Sequence, residues 1–250
     1  MTDNETYHFD DFTRGHYREI LRKARQHYTF ATFDTVGEED IDVVLWRHDV
    51  DMSPQGALQL ARIEAEEGVV STYFLLPHSD FYNLFERSNV DCVREILNLG
   101  HRIGLHYDAE FHGMTGLTAF ERTLAREADW LRDTFDAPID AFSFHNPDEK
   151  SLACDALTYA GLINTYAKDF RSTFSYCSDS NGYWRYARLD DVLDAKPPRL
   201  HVLTHPEWWS DAPMSPHKRV EACIEGRAQA TREKYLAVLA AHGRVNVGAR

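Results

Sequence analysis

Positive charge is scarce in this sequence. It has 27 Lys and Arg against 40 Asp and Glu, so the formal net charge is -13 at pH 7. An acidic surface repels phosphate backbones and anionic lipid headgroups. We therefore expect neither a nucleic-acid partner nor attraction to a charged membrane surface.

Long apolar runs are missing too. No stretch reaches the ~18 consecutive apolar residues of a membrane-spanning helix, and the first residues show no basic segment followed by an apolar one. The four cysteines, at positions 92, 154, 177 and 223, are scattered and form no CxxC pair, which is typical of reduced core thiols. These absences predict a cytoplasmic protein without a membrane span or a secretory signal.

Repeats, low-complexity tracts and Gly/Ser linkers are also absent. We therefore interpret residues 1–250 as a single domain, and a hydrophobic share of 43% is enough to fill its core. Segments rich in β-forming residues alternate with segments of helical period. Strands are predicted at 43–48, 69–76, 102–107, 139–144 and 200–204, and helices at 54–67, 90–99 and 117–135.

Shorter units are predicted at 151–160, 162–166 and 174–177, and the helices 12–26 and 216–241 lie outside the repeat. Alternation of strands and helices favours a parallel sheet with helices around it. About seven strands in one domain favour a closed or nearly closed α/β barrel. An open doubly wound sheet is the alternative.

Polar residues follow the predicted strands. The first strand runs into the segment 47–51 (RHDVD), and three later strands end next to His106, His145 and His205. The carboxyl ends of parallel strands meet at one rim of the sheet, so these side chains should converge there. Imidazole and carboxylate are ligands that zinc and similar divalent ions prefer. The pattern therefore predicts a metal site at this rim.

Each of these residues alone is weak evidence. A histidine at a strand end is more often a hydrogen-bonded structural residue than a ligand. The two acids of the RHDVD segment could simply cap the helix that follows. Four histidines at one predicted rim favour the functional interpretation, whereas His78, His101 and His201 are interpreted as residues without a catalytic role.

Five segments resemble the successive motifs of NodB-type polysaccharide deacetylases. They are RHDVD (47–51), GHRIGLHYD (100–108), FSFHNP (142–147), SDSNGYW (178–184) and LTHPEWW (203–209). The sequence is similar to the branch associated with bacterial surface-polysaccharide (lipopolysaccharide or O-antigen) biosynthesis, and the resemblance covers about residues 40–210. It implies a distorted (β/α)7 barrel. It also implies a metal-dependent hydrolase that removes an N-acyl group, expected to be acetyl, from an amino sugar or a sugar-containing intermediate.

The resemblance implies roles for individual residues. Asp49 would be the base that activates water, and His205 would be the acid that protonates the leaving amine. Asp51 and His106 would bind a divalent metal ion, with zinc as the preferred choice. His145 is our preferred third ligand, because it lies directly at a predicted strand end.

Further residues are candidates for contact with the substrate. Asp179 and Trp184 match the acid and the tryptophan of the fourth motif, which in the family support the base and wall the pocket. The complete set of candidate substrate-binding residues is His48, Asn146, Asp179, Trp184, Glu207 and Trp208. The expected partner is a small or carrier-linked carbohydrate.

The sequence departs from the family's pattern in two motifs. The second histidine of the second motif is replaced by Glu110, with His112 two residues later, and the third motif has His145 followed by Asn146 where the family offers an arginine. The third ligand is therefore open among His145, His112 and Glu110. The same departures keep two other functions open: a metal-free amidase or deformylase on the same fold, and a non-catalytic sugar-binding or assembly protein.

Overall fold

The described part of the chain, residues 3–248 of a computed structural model, contains nine β-strands, ten α-helices and three short 3-10 helices. The strands are β1 (Thr29–Ala31), β2 (Val43–Val50), β3 (Thr72–Leu75), β4 (Arg102–Asp108), β5 (Ala141–His145), β6 (Thr158–Tyr159), β7 (Leu162–Asn164), β8 (Ser175–Ser178) and β9 (Arg199–Thr204). The helices are α1 (Asp3–Tyr7), α2 (Arg14–Arg25), α3 (Pro54–Glu66), α4 (Arg87–Asn98), α5 (Ala109–His112), α6 (Leu117–Phe135), α7 (Glu149–Leu152), α8 (Lys168–Thr173), α9 (Leu189–Ala195) and α10 (Pro216–Ala241).

The strands form one curled sheet. Its order is β6-β7-β5-β4-β3-β2-β9-β8, with β1 beside the first residues of β2. Neighbouring strands run parallel except β6 and β7, so the carboxyl ends of β2, β4, β5 and β9 share one rim. Within residues 3–248, the edge strands β6 and β8 do not pair with each other. The predicted α/β class is confirmed, and the sheet is a curled part of a barrel that stays open.

Strand β2 lies in the middle of the sheet, and all eight of its residues are buried. Because successive side chains of a strand point to opposite faces, these residues divide between two layers. Val43 and Leu45 pack with Phe74 inside the curl, whereas Val44 and Trp46 pack against α2 and α9 on the outside. The odd-numbered residues further along β2 therefore also point into the curl, towards the rim where the motifs lie.

Local sequence signals set the helix boundaries. Helix α3 begins at Pro54, and the side chain of Ser53 accepts a hydrogen bond of 2.9 Å from the backbone of Gly56. It ends just before Gly68, whose φ of 69° suits a residue without a side chain. The predicted bounds of α6 and α10 coincide with those in the structure. Among residues 3–248, no helix combines the length and apolarity needed to cross a membrane.

The short elements escape the sequence patterns. The apolar periods do not predict β1, α8 or α9, which have three to seven residues each. The strand predicted at 69–76 is shorter in the structure, where β3 begins at Thr72. The reason is local, because the backbone N–H of Val69 donates to the carbonyl of Glu64 at 3.0 Å and so closes α3 instead of entering the sheet.

A buried carboxylate joins the outer helices to the sheet. Glu64 of α3 is fully buried and accepts hydrogen bonds from the hydroxyls of Tyr17 and Tyr73, the latter at 2.6 Å. Its Oε1 lies 2.6 Å from Nε2 of His48, and its Oε2 lies 3.6 Å from Nδ1 of His101. Burial raises the pKa of Glu64, but His48 and its other partners lower it by more, to about 2. The charged carboxylate therefore connects α2, α3, β2 and β3.

We expect Glu64→Gln to lower the free energy of unfolding at pH 7 by about 3–5 kcal/mol, the usual cost of breaking a buried ion pair. A carboxyl group with a lowered pKa stabilises the folded state above its ordinary pKa of 4.5, and this contribution is lost as the pH falls towards 2. The difference in the free energy of unfolding between Glu64→Gln and the wild type should therefore shrink as the pH falls from 4.5 towards 2. Urea unfolding followed by circular dichroism measures it.

The matched control for this change is Glu66→Gln. Glu66 is on the same helix, but its side chain is 61% exposed and pairs with Arg18 at the surface. Its replacement should change the free energy of unfolding by less than about 1 kcal/mol. Equal losses for the two variants at pH 7, or a loss for Glu64→Gln that does not depend on pH, would contradict the role given to Glu64.

Candidate active site

Three of the predicted metal ligands lie together at the carboxyl rim of the sheet. Asp51 directly follows β2, His106 lies in β4, and His145 is the last residue of β5. Oδ1 of Asp51 is 3.1 Å from Nε2 of His106 and 3.3 Å from Nδ1 of His145. The two nitrogens are 3.2 Å apart. The three atoms therefore form a nearly equilateral triangle, which we call the donor triangle.

The donor triangle has the size that a coordinated ion requires. With bonds of ~2.1 Å, two ligands of a tetrahedral or octahedral ion lie ~3.0–3.4 Å apart. Oδ1 of Asp51 is buried and has no aligned hydrogen-bond partner among the described residues, although both imidazoles are near it. Burial raises the pKa of Asp51, but the neighbouring histidines lower it by more, well below its usual range. One anionic oxygen and two imidazole nitrogens fit a divalent ion.

A serine that the sequence analysis missed orients His106. The hydroxyl of buried Ser143 donates to Oδ1 of Asp49 at 3.2 Å, so it accepts a hydrogen bond from Nδ1 of His106 at 2.6 Å. A histidine with its proton on Nδ1 presents an unprotonated Nε2 to the donor triangle, which is the form that binds metal. Ser143 precedes His145 by two residues on the same strand, and this period of two was the signal that could have located it.

Arg47 is a second residue whose place in the site was missed. It is fully buried, donates hydrogen bonds to Thr165 and, at 3.0 Å, to Tyr166, and its Nη2 lies 3.4 Å from Oδ2 of Asp49. Burial lowers the pKa of Arg47, but the charge of Asp49 contributes to raising it above its ordinary value. The first motif therefore supplies an arginine beside the predicted base, although the third motif lacks one.

His205 lies next to the donor triangle, with its Nε2 3.9 Å from Oδ2 of Asp51. Its Nδ1 is 2.6 Å from Oδ1 of Asp179, which is fully buried and accepts further hydrogen bonds from the hydroxyl of Thr204 at 2.5 Å and the backbone N–H of His205 at 2.8 Å. Burial lowers the pKa of His205, but Asp179 raises it by more, to about 10. The imidazole is therefore protonated at neutral pH. Asp179 contacts the predicted acid, not the predicted base.

Glu207 and Trp208 follow His205 and line the same cavity. Both carboxyl oxygens of buried Glu207 and the buried indole N–H of Trp208 have no hydrogen-bond partner within residues 3–248. Burial raises the pKa of Glu207 well above its usual range, and the charge of Asp51 raises it further. A buried carboxyl group and an indole N–H without partners are polar groups that a ligand can engage.

Three of the predicted substrate-binding residues, His48, Asp179 and Trp184, do not line the cavity. His48 is fully buried on the outer face of β2 and contacts Glu64, because the pleat turns its side chain away from the curl. Trp184 packs against the rings of Phe12 and Trp209, with centroid distances of 5.0 and 6.4 Å. It supports the packing behind the rim.

The alternative third ligands lie apart from the donor triangle. Glu110 is exposed, and His112 places its Nε2 2.6 Å from Oε1 of Glu127. The side-chain amide of Asn146 lies 2.9 Å from Nε2 of His145. The nitrogen of that amide donates to Nε2 and holds the imidazole of His145 in place beside the triangle. The geometry thus favours His145 as the third ligand.

The donor triangle and its neighbours border a cavity of about 880 Å³. Small-molecule sites occupy ~300–1,000 Å³, so the cavity has the volume of a ligand site. Tyr166, Tyr176 and Tyr186 contribute aromatic side chains to its wall, alongside the acids and histidines. The wall therefore combines apolar faces with a few charged groups at one end.

No protein-family model matches this sequence, and no curated protein is similar to it in sequence. Similar folds are found among solved structures. A family 4 carbohydrate esterase from Bacillus anthracis is 12% identical, with a TM-score of 0.45 and 86% of each chain covered. The chitin deacetylase of the fungal pathogen Colletotrichum lindemuthianum is 17% identical, with a TM-score of 0.42, and 76% of this chain and 84% of that chain are covered.

A further similar structure is a family 4 pseudoenzyme from Bacillus anthracis. It is 13% identical, with a TM-score of 0.42, and the match covers 75% of this chain and 60% of that chain. The solved structures that resemble this chain over most of its length thus include family 4 carbohydrate esterases and deacetylases. At these identities and TM-scores, the likeness carries no argument about activity.

Proposed function

We propose that this protein is a metal-dependent hydrolase that removes an N-acyl group, in the first instance acetyl, from an amino sugar or a sugar-containing intermediate of surface-polysaccharide biosynthesis. The observation that supports it best is the donor triangle of Asp51, His106 and His145, with Asp49 and His205 beside it. An amide is a poor electrophile and an amine is a poor leaving group. Its hydrolysis therefore needs carbonyl activation, a base and an acid in one place.

The ligand set supports zinc in preference to magnesium or calcium. Two imidazole nitrogens and one carboxylate oxygen suit zinc, whereas the other two ions take oxygen ligands. When bound, such an ion would polarise the amide carbonyl and lower the pKa of a water molecule from ~15.7 towards ~7. Three protein ligands also leave room for water and substrate in the coordination sphere.

Asp49 is the proposed base. Its two oxygens have different partners, since Oδ1 accepts from Ser143 and Oδ2 lies near Arg47. These contacts hold the carboxylate in one orientation at the base of the cavity. In this role Asp49 takes a proton from the attacking water, and the guanidinium of Arg47 lies 3.4 Å from its Oδ2.

His205 is the proposed acid. Its pKa of about 10 means that it carries a proton on Nε2 at neutral pH, while Asp179 holds Nδ1. Transfer of the Nε2 proton to the departing nitrogen turns that nitrogen into a neutral amine, which is a better leaving group. Asp179 then stabilises the orientation of the imidazole throughout the reaction.

The cavity wall supports a carbohydrate substrate. Tyr166, Tyr176 and Trp208 offer aromatic faces on which a sugar ring can stack, and Asn146 and Glu207 offer polar groups for sugar hydroxyls. A metal-free amidase and a non-catalytic sugar-binding protein are the alternatives, and both are distinguished from this proposal by the metal and rate measurements that follow.

Asp51→Asn and His106→Ala should each release one divalent ion per chain and abolish turnover, because each removes a ligand of the donor triangle. The circular dichroism spectrum should stay unchanged. Elemental analysis of protein purified without chelator measures the metal content. His242→Ala, which changes an exposed histidine beyond α10, is the control and should keep its metal. Full retention of metal in His106→Ala would show that the ligand assignment is wrong.

Asp49→Asn should keep the metal but lower kcat by about 10²–10⁴, the usual contribution of a general base. The substrate for this assay is the best one found in a screen of N-acetylated sugars and sugar nucleotides. Asp129→Asn changes an exposed acid on α6 and should leave kcat unchanged. Near-normal turnover in Asp49→Asn, or loss of metal equal to that in Asp51→Asn, would rule out its role as the base.

Asp179→Asn should move the alkaline limb of the pH profile of kcat/KM to lower pH. Asp179 is the main group that raises the pKa of His205, and the proposed acid works only below that pKa. Wild-type activity should persist to about pH 10, whereas the variant should lose activity earlier. Asp191→Asn, an exposed acid on α9, should leave the profile in place. An unchanged alkaline limb in Asp179→Asn would contradict the proton-donor role of His205.

A further inference from the structure

A second group of potential ligands lies apart from the donor triangle, although one member, His78, lines the same cavity. It consists of His78, after β3, His112, at the end of α5, and Glu127, in the middle of α6. Tyr107 separates it from the donor triangle, because it follows His106 in β4 and therefore points to the opposite face of the sheet. The ring of His112 stacks on that of Tyr107, with a centroid distance of 5.0 Å. The group is thus a separate place in the fold.

The geometry of this group suits an ion. Nε2 of His78 and Nε2 of His112 both contact Oε1 of Glu127, the second at 2.6 Å. Three potential ligand atoms, one from each residue, lie within 4.8 Å of one another. Two imidazole nitrogens and one carboxylate oxygen form the same ligand set as the donor triangle.

Glu127 is the unusual member of the group. It is fully buried on the core-facing side of α6, between the buried residues Leu124 and Leu131. Packing alone would favour an apolar side chain there. Its Oε1 has two partners, while the buried Oε2 has none among the described residues. Both imidazoles contact the same oxygen, so the other oxygen of the carboxylate has no hydrogen bond. A divalent ion would bind the carboxylate and both imidazole nitrogens together.

We propose that His78, His112 and Glu127 form a second binding site for a divalent ion, zinc or one of similar ligand preference. Such an ion would hold together the segments that follow β3 and β4, both of which border the cavity. The hydroxyl of Ser79, next to His78, donates to the backbone carbonyl of Asp51 at 2.7 Å. The second site therefore also supports the segment that positions a ligand of the first site.

The test uses zinc alone. It is added to the chelator-treated protein, and the unbound zinc is then removed by gel filtration. We expect two bound zinc ions per chain in the wild type, one in His106→Ala and one in Glu127→Gln. The double variant His106→Ala/Glu127→Gln should bind none. His242→Ala should bind two. Glu127 is buried, so its replacement could disturb the fold. The separate variant His78→Ala, which changes a half-buried side chain, is therefore tested as well and should also bind one zinc ion. Zinc should raise the Tm of His106→Ala but not that of His106→Ala/His78→Ala.

The outcomes for the two sites are independent. If the zinc content of Glu127→Gln and His78→Ala equals that of the wild type, the second site is refuted and the three residues form a hydrogen-bonded clamp. If His106→Ala binds no zinc, the second site is likewise refuted. If zinc content falls in His78→Ala but is unaffected by His106→Ala, the second site holds while the metal site of the proposed function fails.

Discussion

The pleat of β2 is the constraint on which the rest of the site depends. Alternate side chains of a strand point to opposite faces, so Arg47 and Asp49 point into the curl while His48 points to the helices. Inside, the charges of Arg47 and Asp49 lie 3.4 Å apart and offset each other. Outside, His48 lies 2.6 Å from Glu64. A shift of the register by one residue would exchange the two faces and bury all of these groups without partners.

Buried ionisable groups in this fold are of two kinds. Some are fully matched, such as Asp179, which accepts hydrogen bonds from Thr204 and from the backbone and ring of His205. Others keep at least one buried oxygen without a partner within residues 3–248, namely Asp51, Glu127 and Glu207. An unpartnered buried oxygen is costly unless something binds it. These three carboxyl groups therefore support the proposals for ions and substrate at their positions.

The parallel sheet explains why so many of these groups meet. The strands β2, β4, β5 and β9 end at the same rim. At or near its carboxyl end, each has one member of the donor triangle or, for β9, the proposed acid His205. The segments that follow these strands form the cavity wall. The segment after β3 joins the two proposed ion sites, because Ser79 contacts Asp51 while His78 contacts Glu127.

Much of the secondary structure and of the candidate site is predictable from the sequence. The bounds of α3, α6 and α10 follow from caps, prolines, glycines and apolar periods, which act within a few residues. Strand-end histidines and acids likewise indicate the rim. Arg47 and Ser143 were missed, although a period of two along their strands could have located them. Ser143 contacts Asp49 on another strand, and the contact of Arg47 with Asp49 can be inferred only once the inner face of β2 is known.

The sequence by itself therefore determined the order of the longer strands and helices along the chain and the chemistry available at the strand ends, since both depend on neighbouring residues. Only the tertiary structure decided which side chains meet. It places His145, and not His112 or Glu110, beside Asp51, turns His48 away from the cavity, and leaves the sheet open. The physical reason is that strand order, curl and side-chain distances arise from contacts between residues far apart in the chain, for which one sequence carries no local signal.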